Sequence, residues 1–173
     1  MIFVTVGTDH HPFVRLLEWA DQVRVALDVD VVAQHGATPS IRSMESFDYA
    51  GVQEMEALAM SATAVVCHGG PGTIALARRC GHRPVVVARR PDLGEHVDDH
   101  QVRYTARLAA DGEIDLANSV EVLISLLRSP RPAVDVRPEG DVAAAFSGAI
   151  EDLVAGRLAR RRLRSRLLLR RSL

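Results

Sequence analysis

The residues best suited to chemistry lie between positions 64 and 101: AVVCHGGPGTIALARRC, then PVVVARR, then GEHVDDHQ. Gly69, Gly70 and Gly72 carry no side chains, so a ligand can approach the backbone closely there. Pro71 suits the first position of a helix, because its φ is already near the helical value and it has no N–H to leave unpaired. A helix that starts at Pro71 offers free N–H groups and the positive end of its dipole to an anion, and a diphosphate fits. Thr73, in the first turn, adds a hydroxyl donor for a phosphate oxygen. His68 has three roles open to it: polarising a phosphate, capping the turn, or packing. Taken alone, this segment reads equally well as a tight strand-to-helix turn with no ligand.

The second segment shifts that balance. Arg89, Arg90, Glu95, His96, Asp98, Asp99, His100 and Gln101 crowd the passage from a strand end into a helix, and such a group can hold a polyol. In open α/β sheets, ligands bind outside the carboxyl ends of the strands, where both segments sit. A diphosphate site beside a polyol site suggests a nucleotide sugar. His96 and His100 also have the four-residue spacing of metal ligands on one helix face, with Asp98 and Asp99 near, but the acidic residue of an HExxH motif is missing and no metal is expected. GTDHHP follows the first strand in place of GxGxxG, so no dinucleotide fingerprint is present, and His10 and His11 are expected to be solvated at a helix start.

Elements that must position these residues alternate as in a doubly wound sheet. Strand Ile2 to Val6 precedes a helix from about His11 to Leu27; strand Val29 to Gln34 precedes a turn with Gly36, Pro39 and Ser40, and a helix over about Gln53 to Ser61. Strand Ala64 to Cys67 leads to the helix Pro71 to Cys80, strand Pro84 to Ala88 to a helix from about Val97 to Ala110, and a last helix covers about Ser119 to Leu127. The expected fold is α/β, a Rossmann-like doubly wound parallel sheet without internal repeats. Pro130, Pro132, Pro138 and Gly140 interrupt the pattern as a linker or surface strap, a helix follows over about Val142 to Val154, and residues 157–173 are an Arg/Leu-rich tail. That divides the chain into 1–128, 129–156 and 157–173.

Composition sets outer bounds. A chain of 173 residues has the length of one domain, and at such a size about 70% of the unfolded surface is buried, enough for a single core. All 21 basic residues are arginine, which implies no particular partner. Cys67 and Cys80 flank the glycine turn and are expected as reduced thiols. No leader precedes the first strand and no apolar run reaches the ~20 residues of a membrane helix, so a cytoplasmic protein, at most peripheral at the inner face of the membrane, is expected. The tail can lie on anionic lipid, where each arginine contributes ~1 kcal/mol, or stay solvated. Nucleic acid is not an expected partner, since the body of the chain is net negative and holds no recognisable binding module.

The runs HGGPGT, GHRPVVV and EHVDDHQ resemble the donor-binding, C-terminal domain of family 28 glycosyltransferases of the GT-B fold. The opening IFVTVGT, followed by PF and RLLEWAD, is similar to the separate donor-binding subunit of two-part enzymes in that family, which make dolichol-linked or exopolysaccharide products. The resemblance covers roughly residues 1–128. It implies a nucleoside-diphosphate sugar, most simply a UDP sugar, with the diphosphate against Gly69, Gly70, Gly72 and Thr73 and the sugar hydroxyls near Asp99 and Gln101. Gly7 and Thr8 share the same rim, and His68 and Arg89 complete the donor set. One departure is plain: Leu76 stands where many relatives carry an acidic residue for the ribose hydroxyls.

Inverting transfer needs a base for the acceptor hydroxyl and stabilisation of the leaving diphosphate. In GT-B enzymes the base and acceptor pocket belong to the other domain, so the resemblance implies a membrane-associated acceptor-binding partner and a lipid-linked acceptor. No cofactor is expected and no residue is assigned as the base. The competing class is a degenerate donor domain kept for assembly or regulation, which Leu76 favours; a sugar-nucleotide epimerase would need both GT-B domains in one chain.

Overall fold

Strand residues face alternate sides, and in this chain both sides are apolar, so each strand must be covered twice. In β1 (Ile2–Thr5), Ile2 and Val4 point to one layer and Phe3 to the other. β4 (Ala64–His68) and β5 (Val85–Val87) repeat the pattern: Val66, Val85 and Val87 face the first layer, while Val65, Cys67 and Val86 face the second. The computed structural model describes residues 1–129, and the expectations of a linker past Ser129, a helix over about 142–154 and a basic tail lie outside them.

β1, β4 and β5 join β2 (Val31–Gln34), β3 (Glu45–Phe47) and β6 (Asp115–Leu116) in one parallel sheet of order β3-β2-β1-β4-β5-β6. Helices α1 (Val14–Leu27) and α5 (Val120–Arg128) cover one face through Leu16, Leu17, Ala20, Val23, Leu123 and Leu127. Helices α2 (Val52–Ser61), α3 (Pro71–Arg79) and α4 (His100–Ala110) serve the other face, where Ala59, Leu76, Ala77 and Ile74 are buried and Leu108 packs alongside. The fold is therefore the expected Rossmann-like α/β architecture. Strand order reverses between β1 and β4, and a crevice opens at such a switch point outside the carboxyl ends of the strands.

Two strands are additional to expectation, and three elements start more than one residue later than expected. β3 and β6 are edge strands of three and two residues, too short for a hydrophobic period to be read. α1 begins at Val14, not His11, because the Asp9 carboxylate accepts the His11 N–H at 2.7 Å and holds residues 9–11 in a turn, while Thr38 Oγ1 accepts the Phe13 N–H at 2.9 Å. β2 begins at Val31, since Asp28 ends α1 in the left-handed region at φ 52° and residues 29–30 complete the connection. α4 begins at His100, not Val97, because the Asp98 carboxylate accepts the His100 N–H at 3.0 Å.

Two loops at the open end of the sheet are tied together by Arg89, which is fully buried. Nη1 donates to the carbonyls of His11 at 2.7 Å and Glu95 at 2.9 Å, Nη2 donates to the carbonyl of Val6 at 2.9 Å, and the guanidinium lies 4.7 Å from the Phe13 ring centroid. Arg89 is assigned to the donor set by sequence; in the structure its Nη1 and Nη2 are engaged by backbone carbonyls beneath the rim, and it is not among the residues that line the cavity described below. Glu95, also buried, accepts two bonds from Arg15 at 2.7–2.8 Å and one from the Arg90 N–H at 2.9 Å.

Arg89→Ala would orphan three carbonyls, each worth about 1–3 kcal/mol when buried without a partner. Lysine cannot reproduce a planar fork, so Arg89→Lys is expected to restore little. Urea unfolding should show both variants less stable by about 3 kcal/mol or more. Wild-type stability in Arg89→Lys, with loss of ligand binding only, would return Arg89 to the ligand.

Candidate functional site

At the switch point between β1 and β4 lies a cavity of about 520 Å³. Thr5, Gly7, Thr8 and Asp9 form the side contributed by the end of β1 and its loop, and His68, Gly70, Pro71, Gly72 and Thr73 form the side contributed by β4 and α3. Gln34 and Gln101 line it from the ends of β2 and α4, and Tyr49, Ala50, Val52, Met55 and Leu76 form an apolar end. One end thus offers donors to a charged group, and the other an apolar surface for a flat ring.

α3 starts as its residues require. Gly70 is the extended N-cap, Pro71 the first helical residue, and the Ile74 N–H is the first to find its carbonyl, that of Gly70, at 3.1 Å. The N–H groups of Gly72 and Thr73 belong to the first turn, where the helix supplies no acceptor, so they are available to a ligand. Those of Gly69 and Gly70 are not. The Gly69 N–H donates to Gln101 Oε1 at 3.1 Å, and the Gly70 N–H donates to His68 Nδ1 at 3.1 Å. Both are already used to shape the turn; Gly70 still lines the cavity, and Gly69 does not.

The glycines differ in the same way. A Cβ at Gly70 would sit 2.1 Å from His68 Cε1, and one at Gly7, whose φ is +82°, would sit 2.3 Å from His68 Nε2. The His68 ring is thus wedged between two backbone segments that only glycine allows. A Cβ at Gly72 meets nothing within 4 Å, so that position is open to the cavity.

His68 is held neutral. Burial, assisted by the positive charge of Arg89, pushes its pKa down to about 4. Since Nδ1 accepts the Gly70 N–H, the ring proton resides on Nε2 and donates to Thr73 Oγ1 across 3.0 Å. That satisfies one lone pair of Thr73 and leaves its hydroxyl hydrogen for the cavity. Of the three roles open to His68, it caps the turn and orients Thr73.

Across the cavity, Gln34 fixes the β1 loop with one amide group. Its Oε1 accepts the Gly7 N–H at 3.1 Å and the Thr5 hydroxyl at 2.6 Å, and its Nε2 donates to the carbonyls of Gly7 at 3.0 Å and Asp48 at 2.7 Å. Gln34, Thr5 and Asp9 were not read from the sequence as site residues, although Gln34, a polar end to an apolar strand at the ligand-binding edge, carried a usable signal. Burial alone would raise the Asp9 pKa, but the His11 N–H and ring, helped by the charge of Arg89, outweigh it and hold Asp9 at about 2. So acidic a carboxyl is a poor general base.

Of the expected donor set, the structure brings Gly7, Thr8, His68, Gly70, Gly72, Thr73 and Gln101 to one cavity. Gly69 lies behind it against Gln101 and Thr105, and Asp99 is more than half exposed in an ion pair with Arg103. Asp99 is therefore not a lining residue, because its side chain turns along the surface of α4. Both cysteines are free thiols, and burial pushes Cys67 up to about 12.

Residues 1–127 match the model of the glycosyltransferase family 28 C-terminal domain. The chain belongs to that family. No curated protein matches this family 28 chain. A solved structure described as the glycotransferase of kitacinnamycin is similar over 88% of the chain with 19% identity and a TM-score of 0.47, and the match spans 39% of that protein's length. In this family 28 domain Leu76 is almost fully buried, packed with Phe3, Val65 and Ala77 while bordering the cavity, so it supplies wall and no hydrogen bond.

Imidazole NMR tests the His68 assignment: the ring should titrate near pH 4 and carry its proton on Nε2 at neutral pH. An unfolded histidine binds its proton below about pH 6.5. The His68 contribution to stability is therefore complete above that value and is lost as the pH falls from about 6.5 toward 4, where the unfolded chain is protonated and the folded one is not. His68→Gln should flatten that part of the stability profile. Titration of the wild-type ring near pH 6.5, or a proton on Nδ1, would refute the arrangement.

Proposed function

We propose that this family 28 domain binds a nucleoside-diphosphate sugar, most simply a UDP sugar, and presents its hexosyl group to a lipid-linked acceptor held by a separate, membrane-associated subunit. The observation that carries this reading is the open first turn of α3, with the Gly72 and Thr73 N–H groups and the Thr73 hydroxyl at the polar end of the switch-point cavity. The diphosphate occupies that end, where the helix dipole and free N–H groups offset its charge. The nucleobase lies toward Tyr49, Val52 and Met55, and the sugar hydroxyls toward Thr8, Asp9 and Gln101. Stabilising the departing diphosphate is the catalytic task these groups can perform.

The partner follows from chemistry the cavity does not offer. Asp9 is too acidic to take a proton from an acceptor hydroxyl, and His68 has Nδ1 committed to Gly70 and Nε2 to Thr73. A base from another domain or subunit supports acceptor binding elsewhere, in keeping with polysaccharide or lipid-linked sugar synthesis at the cytoplasmic face of a membrane. Among the described residues, no helix is long and apolar enough to cross one. Lipid contact through the Arg-rich tail remains part of this proposal. The second reading, a non-catalytic donor-domain homologue serving assembly or regulation, draws on Leu76, which leaves the ribose hydroxyls without the acidic partner.

Calorimetric titration of the purified chain with UDP, GDP and their sugars, free of metal, should show saturable binding of one nucleotide class. Gly72→Asp should weaken it by at least ~10-fold, about 1.4 kcal/mol. Its unfolding midpoint should stay unchanged or rise, because position 72 is sterically open and an acidic side chain in the first turn favours the helix. Wild-type chain that binds none of the panel would sink the donor reading in favour of the assembly module. Binding indifferent to Gly72→Asp would move the site off α3.

A further inference from the structure

The loop after β1 and the loop before α4 bring together four histidines and two aspartates beside the donor cavity, and the proposed transfer uses no histidine among them. His96 Nδ1 lies 3.5 Å from Asp98 Oδ1, and His100 Nδ1 makes a hydrogen bond with that same oxygen. One donor atom from each of His96, Asp98 and His100 falls within 4.8 Å of the others. Ligands at ~2.0–2.1 Å on a tetrahedral zinc ion stand about 3.3 Å apart, so small side-chain rotations bring this trio onto one ion.

We propose that His96, Asp98 and His100 bind one divalent transition-metal ion of the zinc type, with Asp9 as the carboxylate that orients His96 from its far side. The Asp98 N–H donates to His96 Nδ1 across 3.4 Å, so Nδ1 is the unprotonated nitrogen, and an ion there takes the place of this long bond. The ring proton then sits on Nε2, which faces Asp9 Oδ2 at 3.5 Å. Metal-binding histidines have this division of labour: one nitrogen on the ion, the other donating to a carboxylate that fixes the ring.

Asp9 is itself held by the N–H of His11 at 2.7 Å and by the His11 ring at 2.6 Å. His96 is nearly buried, at 11% exposure, whereas Asp98 and His100 are about half exposed, so the coordination positions left over face solvent and accept water or an anionic group. Two imidazoles and one carboxylate suit zinc, cobalt or nickel; magnesium and calcium demand mostly oxygen. A neighbouring trio of Asp9, His10 and His11 is also close-set, but its Asp9 is the carboxylate that faces His96 Nε2 and its His10 side chain is 85% exposed. The ion belongs on the His96 side. Bound there, it links the loop before α4, through His96 and Asp9, to the rim of the donor cavity.

The test is a titration of the chelator-treated full chain with zinc chloride, followed by calorimetry and by ring-nitrogen NMR. The expected result is one ion per chain, a shift of Nδ1 in both His96 and His100, and Nε2 of His96 still protonated. His100→Gln, at a half-exposed position, and His96→Gln should each lose at least ~10-fold in affinity, and Asp9→Asn should lose within the 10–100-fold range typical of an orienting carboxylate. His35→Gln and His82→Gln should bind as wild type does. No saturable binding, or binding that survives His96→Gln and His100→Gln, overturns the site. Affinity unchanged in Asp9→Asn overturns the orienting role of Asp9.

Discussion

The buried guanidinium of Arg89 is the constraint from which the open end of this sheet takes its form. Its three short hydrogen bonds run to Val6 and His11 on one loop and to Glu95 on another, so the segments following β1 and β5 are fixed relative to each other by one side chain. Burying a cation is costly, and here carbonyl dipoles, the face of Phe13 and the nearby charges of Asp9 and Glu95 offset it. Burial still depresses the Arg89 pKa, against the pull of those two carboxylates. Everything on the rim inherits this geometry. Asp9 lies between Val6 and His11, and His96 follows Glu95.

The same cation governs the charge state of the cavity. A protonated His68 would have to share a poorly solvated region with Arg89, and its neutrality follows from burial first and that repulsion second. A neutral ring can accept from Gly70 and donate to Thr73 at once; a protonated one could not accept. The attraction for an anion therefore rests on backbone N–H groups at the start of α3, since among the described residues the cavity wall holds no arginine and its one histidine, His68, is neutral. Oriented backbone N–H groups act by direct contact inside a cleft, where screening is weaker than between exposed charges, which suits recognition of an anion in a chain whose net charge is slightly negative.

How much of this was legible before the structure depends on the range of the interaction concerned. The strand–turn–helix over residues 64–80 was readable residue by residue, because Pro71 and the apolar runs act locally. Helix α5 was readable for the same reason, with Ser119 as a cap that accepts the Val122 N–H. The edge strands were not, since pairing with neighbours, and no pattern of their own, defines β3 and β6. The internal bonds of Arg89 were hidden because an arginine at a strand end looks the same in sequence whether it meets a ligand or carbonyls 78 and 83 residues away in the chain. The pairing of Asp9 with His96 was hidden for a similar reason: two loops distant in sequence meet only once the strand order is known.

The motif HGGPGT thus divides into two parts with different physical content. Gly69 and Gly70 answer to packing, because Cβ atoms there would strike Thr105 and Gln101, or His68, and their N–H groups are already bonded within the protein. Gly72 and Thr73 answer to the cavity, because one is sterically open and the other has its hydroxyl oriented by His68. A motif match alone treats these glycines as equivalent. The structure separates them by what a methyl group would meet, so a chain could keep the first pair to preserve its fold after losing any ligand, whereas the openness of Gly72 has no structural justification within the protein. Leu76 belongs with the first group: it completes a core and gives nothing to a ribose. On the proposed reading, donor recognition concentrates at the diphosphate, with the apolar end of the cavity accommodating the base by shape.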